Sequence, residues 1–309
     1  MGVVRMAELY KSFEDIERAV LASVDARGKK VRIALACAQD PDGLAAVIDA
    51  RRRGVVEATL IGDVESIRAQ LAGAGEREDD YELLACDDEL EAGRAAVALV
   101  REGKADIPMK GLMMTANFMR AILDKETGLL PAGKLLSQAT VLEWPAANKM
   151  MVISDCAVNI SPNLEQKAQI TRNAIDLAHV LGYERPNVGV LSALEVVKEK
   201  IPSTVDAAAI AAMDWPDACV GGPFALDNAV NPAAAALKGV DHPAAGKCDV
   251  LIVPDLPSGN IFTKSLTFFA ELKSAGSLNG TTHPVVMTSR TDTPEDKYYS
   301  ILVAIAKTL

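Results

Sequence analysis

Four polar stretches hold the residues of this sequence that could do chemistry. They are Lys110-Gly111 to Thr115, Ser154-Asp155 to Asn159, Pro254-Asp255 to Asn260 with Lys264 just beyond, and Ser289-Arg290 to Asp296. Each follows an apolar run and leads into a helix-like one. In an open parallel sheet that is where ligands bind, because free N–H groups at helix starts and the helix dipole favour anions there. Lys110, Lys264 and Arg290 would bring cationic side chains to one sheet edge, making an anion pocket. Arg290 can grip two phosphate oxygens through its planar fork, a more directional contact than a lysine point charge gives. Ser289 adds a hydroxyl. Asp296 lies a short turn away and could act as a base, although Thr293-x-x-Asp296 also reads as a capping box with Asp in place of Glu. Plainer roles stand beside these: Thr115, Asn163 and Thr293 are good helix caps, and Gly111 and Gly259 permit tight turns.

The elements that must position these residues alternate between strand-like and helix-like runs, the sign of βαβ units and a parallel sheet. Strands are expected at Val31–Ala36, Thr59–Gly62, Leu83–Ala85 and Ile107–Lys110, with helices from Ser12 to Gly28, Pro41 to Gly54, Asp87 to Arg101 and Thr115 to Lys125. Beyond the turn-rich Gly128–Gly133, paired strands at Ala139–Trp144 and Met150–Ser154 open a second unit. It continues with a helix from Asn163 to Leu181, strands at Val188–Leu191, Cys219–Pro223 and Asp249–Val253, and helices over Val205–Met213 and Asn260–Ala275. A last strand, Pro284–Thr288, precedes a helix from Pro294 to Lys307. The expected domains are residues 1–136 with 280–309, and residues 137–279.

Composition narrows the function. The chain has 309 residues, half of them hydrophobic and only 4% aromatic, which favours a large α/β core. A net charge of −10 argues against a nucleic-acid partner, since that affinity rests on clustered cations. Five scattered cysteines without a C-x-x-C pair do not read as a disulfide framework, so a cytoplasmic location is expected. No run of eighteen apolar residues suggests a membrane span. Three isolated histidines predict no metal site. Gly128-x-x-x-x-Gly133-Lys134 imitates a phosphate-binding P-loop, but Leu135 stands where magnesium would need a hydroxyl and a helix precedes it. No G-x-G-x-x-G follows a strand, which removes the main support for a nicotinamide dehydrogenase.

The same turns carry a resemblance over essentially the whole chain. Met109-Lys-Gly111 with Thr115, Asn163-Leu-Glu-Gln-Lys167, Gly222-Pro-Phe-Ala-Leu-Asp-Asn-Ala229, Pro254-Asp-x-x-x-Gly-Asn260 and Thr288-Ser-Arg290 with Asp292 resemble the phosphate acetyl/butyryl transferase family, more closely on its butyryl side. The resemblance implies two α/β/α domains with an interdomain cleft, like the isocitrate and isopropylmalate dehydrogenase fold, and a homo-oligomer built on dimers. It also implies coenzyme A as cosubstrate, no further cofactor, and transfer of a short acyl group, butyryl first, by direct thiolate attack on acyl phosphate. Ser289 and Arg290 fall on the family's phosphate contacts, and Asp296 on an aspartate proposed as base in the acetyl branch, with Asp292 and Glu295 as alternatives. Lys110, Gly111, Thr115, Asp155, Asn159, Ser258, Gly259, Asn260 and Lys264 are the substrate-binding candidates. Two residues depart from the family pattern: Gly221 stands where an acidic residue is usual, and Ala116 where a serine is common. Rival readings are a metal-dependent decarboxylating dehydrogenase, whose aspartate cluster is missing, and an inactive relative that only binds coenzyme A or a partner.

Overall fold

The computed structural model describes residues 9–309. In chain order the elements are α1 (Phe13–Arg27), β1 (Val31–Ala36), α2 (Pro41–Arg52), β2 (Val56–Gly62), α3 (Val64–Gly73), β3 (Glu82–Ala85), α4 (Glu89–Arg101), β4 (Ile107–Lys110) and α5 (Thr115–Ile122). There follow β5 (Ser137–Trp144), β6 (Lys149–Ser154), α6 (Leu164–Val180), β7 (Asn187–Leu191), α7 (Pro202–Ala211), β8 (Cys219–Phe224), α8 (Leu226–Val230), α9 (Pro232–Leu237), β9 (Val250–Ile252) and α10 (Leu256–Phe268). The chain ends with β10 (Ser274–Asn279) and α11 (Pro294–Ala306). These form two compact units. Phe13–Lys134 with Ala275–Leu309 make the first, and Leu135–Ser274 the second, which residues 9–12 join rather than the first unit.

The first unit is built on a parallel sheet of order β3-β2-β1-β4. The crossovers from β1 to β2 and from β2 to β3 step one way and that from β3 to β4 steps back, an order that, with the right-handed crossovers parallel strands take, puts α2 and α4 on opposite faces. The neighbours β1 and β4 are therefore the point at which the strand order reverses, and in open parallel sheets ligands bind beyond the carboxyl ends of such a pair. Lys110 is the last residue of β4, at that carboxyl end. Its surroundings are tight: a Cβ at Gly111 would come within 2.4 Å of the Cys37 carbonyl and 2.6 Å of the Ala36 carbonyl, so only glycine lets the end of β4 lie against the end of β1. The strand expected at 284–288 does not form. Val286 makes one parallel bridge to Met109, through Lys110 N–H to the Val286 carbonyl at 2.9 Å and Val286 N–H to the Pro108 carbonyl at 3.0 Å. That is enough to hold the start of the Ser289–Arg290 loop beside β4.

In the second unit β5 pairs antiparallel with β6, and β6, β9, β7 and β8 are mutually parallel in that order. Its core gathers Leu142, Ile153, Leu191, Phe224, Leu251 and Val253. The helix expected to begin at Asn260 starts at Leu256 instead. Asp255 caps it and Pro257 suits its first turn, so Ser258, Gly259 and Asn260 are helical, and Phe268 ends it well before Ala275. Helices α3, α8 and α9 and strand β10 went unforeseen, being short or poor in apolar periodicity.

Candidate active site

Lys110 is only 4% exposed, and its ammonium donates to the Gly111 carbonyl at 3.3 Å. Burial holds its pKa below the ordinary lysine value. Arg290 and Lys297 push it further down, while Asp40 and the Cys37 thiol oppose them. Three cations thus share one region of the first unit. None of Lys110, Arg290 and Lys297 forms an ion pair with a carboxylate among the described residues, in a chain with 42 acidic and 32 basic residues. The Cys37 thiol beside them is pushed up to about 11, chiefly by burial and then by Glu89, and stays protonated near neutrality.

Ser289 and Arg290 lie exposed on the loop between the β4 bridge and α11. The Ser289 hydroxyl is 3.0 Å from the Thr291 hydroxyl, and the Ser289 N–H donates to the Asp292 carboxylate at 2.7 Å. Lys297, 2% exposed, donates to the carbonyls of Ser289 at 3.1 Å and Asp292 at 2.6 Å.

The three candidate bases differ in what occupies them. Asp292 closes the loop through the Ser289 N–H. The Glu295 carboxylate accepts from the Tyr299 hydroxyl and lines a cavity of about 450 Å³ with Glu14, Glu17, Asp49 and Arg53. Asp296 forms the capping box: its Oδ2 accepts from the Thr293 N–H at 3.2 Å and the Thr293 hydroxyl at 2.6 Å, while its own N–H donates to Thr293 Oγ1 at 3.1 Å. Its Oδ1 stays outside the box.

Thr115 does not cap α5. Met114 holds that position without a side-chain bond, and Thr115 is the exposed first helical residue. The loop is instead secured by Glu89, whose carboxylate accepts from the Met114 N–H and the Asn117 amide, both at 2.9 Å. These two bonds, the backbone one foremost, hold the Glu89 carboxyl below its ordinary range, with a further contribution from Arg290. Sequence reasoning missed Glu89 and Lys297 because each sits in the first turn of a helix, where a charged residue ordinarily faces water.

The second unit places its candidates in two interlocked turns. Asp155 is 2% exposed, and its carboxylate accepts from the N–H groups of Ala157 at 2.9 Å, Val158 at 3.0 Å and Asn159 at 3.2 Å, and from the Asn159 side chain. Asn159 also donates to the Leu136 carbonyl at 2.9 Å. Across from this turn, Asp255 accepts from the Ser258 N–H at 2.9 Å and from its hydroxyl. Gly259 joins the two: a Cβ there would stand 2.6 Å from the Asp155 carbonyl. Asn260 reaches the Cys156 carbonyl at 3.4 Å. Lys264 lies two turns into α10, exposed, with its ammonium 5.7 Å from the centre of the Phe268 ring. The expectation that Lys264 shares a sheet edge with Lys110 and Arg290 is therefore corrected, since the two sheets are separate. Gly221 also has a physical reason: a Cβ there would stand 2.5 Å from Nδ1 of His242, which fills that space against Phe224.

Among the described residues no group of three or more His, Cys, Asp or Glu side chains could hold a metal ion, and no helix is long and apolar enough to cross a membrane.

A family model described as phosphate acetyl/butaryl transferase matches residues 18–305. The chain is 39% identical over 300 residues to a phosphate butyryltransferase of Clostridium acetobutylicum, covering 96% of this chain and 98% of that protein. It is 40% identical over 283 residues to a phosphate acetyltransferase of Thermotoga maritima, covering 90% and 96% respectively. The solved structure of a branched-chain phosphotransacylase from Enterococcus faecalis superposes with a TM-score of 0.81 at 32% identity, over 90% of this chain and 98% of that one.

Proposed function

Because this chain belongs to the phosphate acetyl/butyryl transferase family and is an acyltransferase of that type, we propose that it moves a short acyl group, butyryl first, between coenzyme A and orthophosphate. The observation that carries this reading is the group of three cations near the end of β4 that, among the described residues, form no ion pair with a carboxylate. Like charges crowded against a buried lysine are costly on their own, and a polyanion binding among them removes that cost. Phosphate fits the donors present: the Arg290 fork, the Ser289 hydroxyl and the Lys110 ammonium.

In the direction of acyl-CoA synthesis, a base takes the coenzyme A thiol proton and the thiolate attacks the acyl-phosphate carbonyl. A C–S bond forms, the C–O bond to phosphorus breaks, and orthophosphate leaves onto Arg290 and Ser289. A thiol of pKa ~8.5 is about 3% ionised at pH 7, so the base offsets only ~2 kcal/mol of that step. Asp296 is the group we assign to it, acting through Oδ1 while Oδ2 keeps the helix cap. Coenzyme A serves as cosubstrate, with no metal or other cofactor in the chemistry, and the protein self-associates as dimers.

The experiment is phosphate-dependent release of thiol from a series of acetyl-, propionyl-, butyryl- and pentanoyl-CoA. A rate maximum at butyryl-CoA supports the full reading, and a maximum at acetyl- or propionyl-CoA replaces the acyl group while keeping the reaction. No phosphate-dependent release from any of them ends it.

A further inference from the structure

We infer that Lys297 is the positioning residue of the phosphate loop, holding Ser289–Asp292 in the shape that presents Arg290 to an anion. This rests on the reading of the first unit as the phosphate site. Lys297 follows Asp296 in the first turn of α11, yet its side chain turns inward and is almost wholly buried. A buried ammonium needs partners, and those it has are the carbonyls of Ser289 and Asp292, one at each end of the loop.

The consequence follows from peptide geometry. The Ser289–Arg290 bond is trans, so its C=O and N–H point in opposite directions. With the Ser289 carbonyl drawn inward onto Lys297, the Arg290 N–H is turned outward. It makes no backbone hydrogen bond among the described residues, and it stands on the same residue as the Arg290 fork. Lys297 therefore fixes the direction of the backbone donor on the residue that carries the fork. The Asp292 carboxylate completes the clamp by taking the Ser289 N–H, which leaves the loop little freedom between its two anchors. A lysine suits the task because one ammonium reaches two carbonyls without bringing a carboxylate, which would neutralise the cation group.

The test is steady-state kinetics and thermal unfolding of Lys297→Met, which keeps the length and apolar volume of the side chain but donates nothing. The expected result is a rise of about tenfold or more in KM for phosphate, the scale of losing hydrogen bonds from a charged donor. KM for acyl-CoA should stay within about twofold, and stabilisation of the protein by added phosphate should be lost. A phosphate KM equal to wild type overturns the inference, as does a parallel change in both KM values, which would mark a general structural loss. If the Met variant does not fold, Lys297→Gln, which can still donate to one carbonyl, replaces it, with a smaller rise confined to phosphate expected and the same outcomes decisive. Arg290→Gln measured alongside separates the two levels. If it leaves the phosphate response unchanged, the phosphate site itself is misplaced, whereas a phosphate defect in Arg290→Gln without one in Lys297→Met overturns only the role of Lys297.

Discussion

In the first unit Lys110, Arg290 and Lys297 stand together and, among the described residues, form no ion pair with a carboxylate, whereas in the second unit Asp155, Asn159, Asp255 and Ser258 use their polar groups on one another and on the adjoining backbone. Both regions lie where strands run into helices, and both are rich in the residue types that mark a site. They differ in satisfaction. A buried polar group whose hydrogen bonds are met within the fold stabilises the fold, and like charges gathered without an opposing ion pair are an unfavourable arrangement that an anionic ligand can complete. The difference predicts that substitutions in the first region act on phosphate and rate, and those in the second on stability.

The largest expected effect is that of Asp296→Asn. The amide oxygen can still accept from Thr293, so the cap and the melting temperature are preserved. If Oδ1 is the base, turnover falls by roughly 10²–10⁴-fold, and the loss shrinks as pH rises past the thiol pKa. A near-normal rate at pH 7 moves Asp296 to the structural side of the comparison. Arg290→Gln removes a charge-assisted, two-pronged contact of roughly 2–4 kcal/mol, about 30- to 1000-fold, and initial-rate kinetics should register it in phosphate and acyl phosphate. A defect confined to coenzyme A would reverse the assignment of the region.

Asp155→Ala tests the opposite side. Three backbone N–H groups lose their acceptor, so calorimetry should show a stability loss of about 3 kcal/mol, with the rate per folded molecule within a few-fold of wild type. Lost activity at unchanged melting temperature would show that its carboxylate meets substrate. The smallest effect concerns pH and Lys110. Its pKa is depressed, so the ammonium is fully present well below the ordinary lysine range and is lost as pH rises through the lowered value. Phosphate affinity, followed by calorimetry, should weaken at a lower pH than an ordinary lysine would dictate, and phosphate binding in that window should take up protons. Affinity indifferent to pH up to the ordinary lysine pKa would place Lys110 outside the phosphate contacts.

Much of this layout was legible in the chain. The apolar runs at Val31–Ala36, Ile107–Lys110 and Met150–Ser154 are buried strands, and Asn163 and Thr293 cap the helices they were expected to cap. Local rules sufficed there because hydrophobic period and cap chemistry act over a few residues. They mislead where two readings compete: Asp255 followed by Pro257 is itself a helix-start signal, and it prevails over a start at Asn260. Ser274–Asn279, with a glycine and two serines, carries little strand preference of its own.

The sequence by itself determined which stretches could hold an anion, which residue types stood there and which family they resemble, since these depend on composition and spacing along the chain. Only the tertiary structure decided which polar residues were already satisfied. Asp155 and Lys297 look equally available as letters, but one is closed by its own turn and the other is turned inward onto two carbonyls. Gly259 reads as a turn residue, while its absent side chain is what lets α10 lie against the Asp155 turn, since a Cβ there would stand only 2.6 Å from the Asp155 carbonyl oxygen. The bonds of Asp155 and Lys297 run to residues near them in the chain, but whether a side chain turns inward to make them depends on burial. The approach of Gly259 and Asn260 to the Asp155–Cys156 turn joins segments about a hundred residues apart that no local pattern encodes.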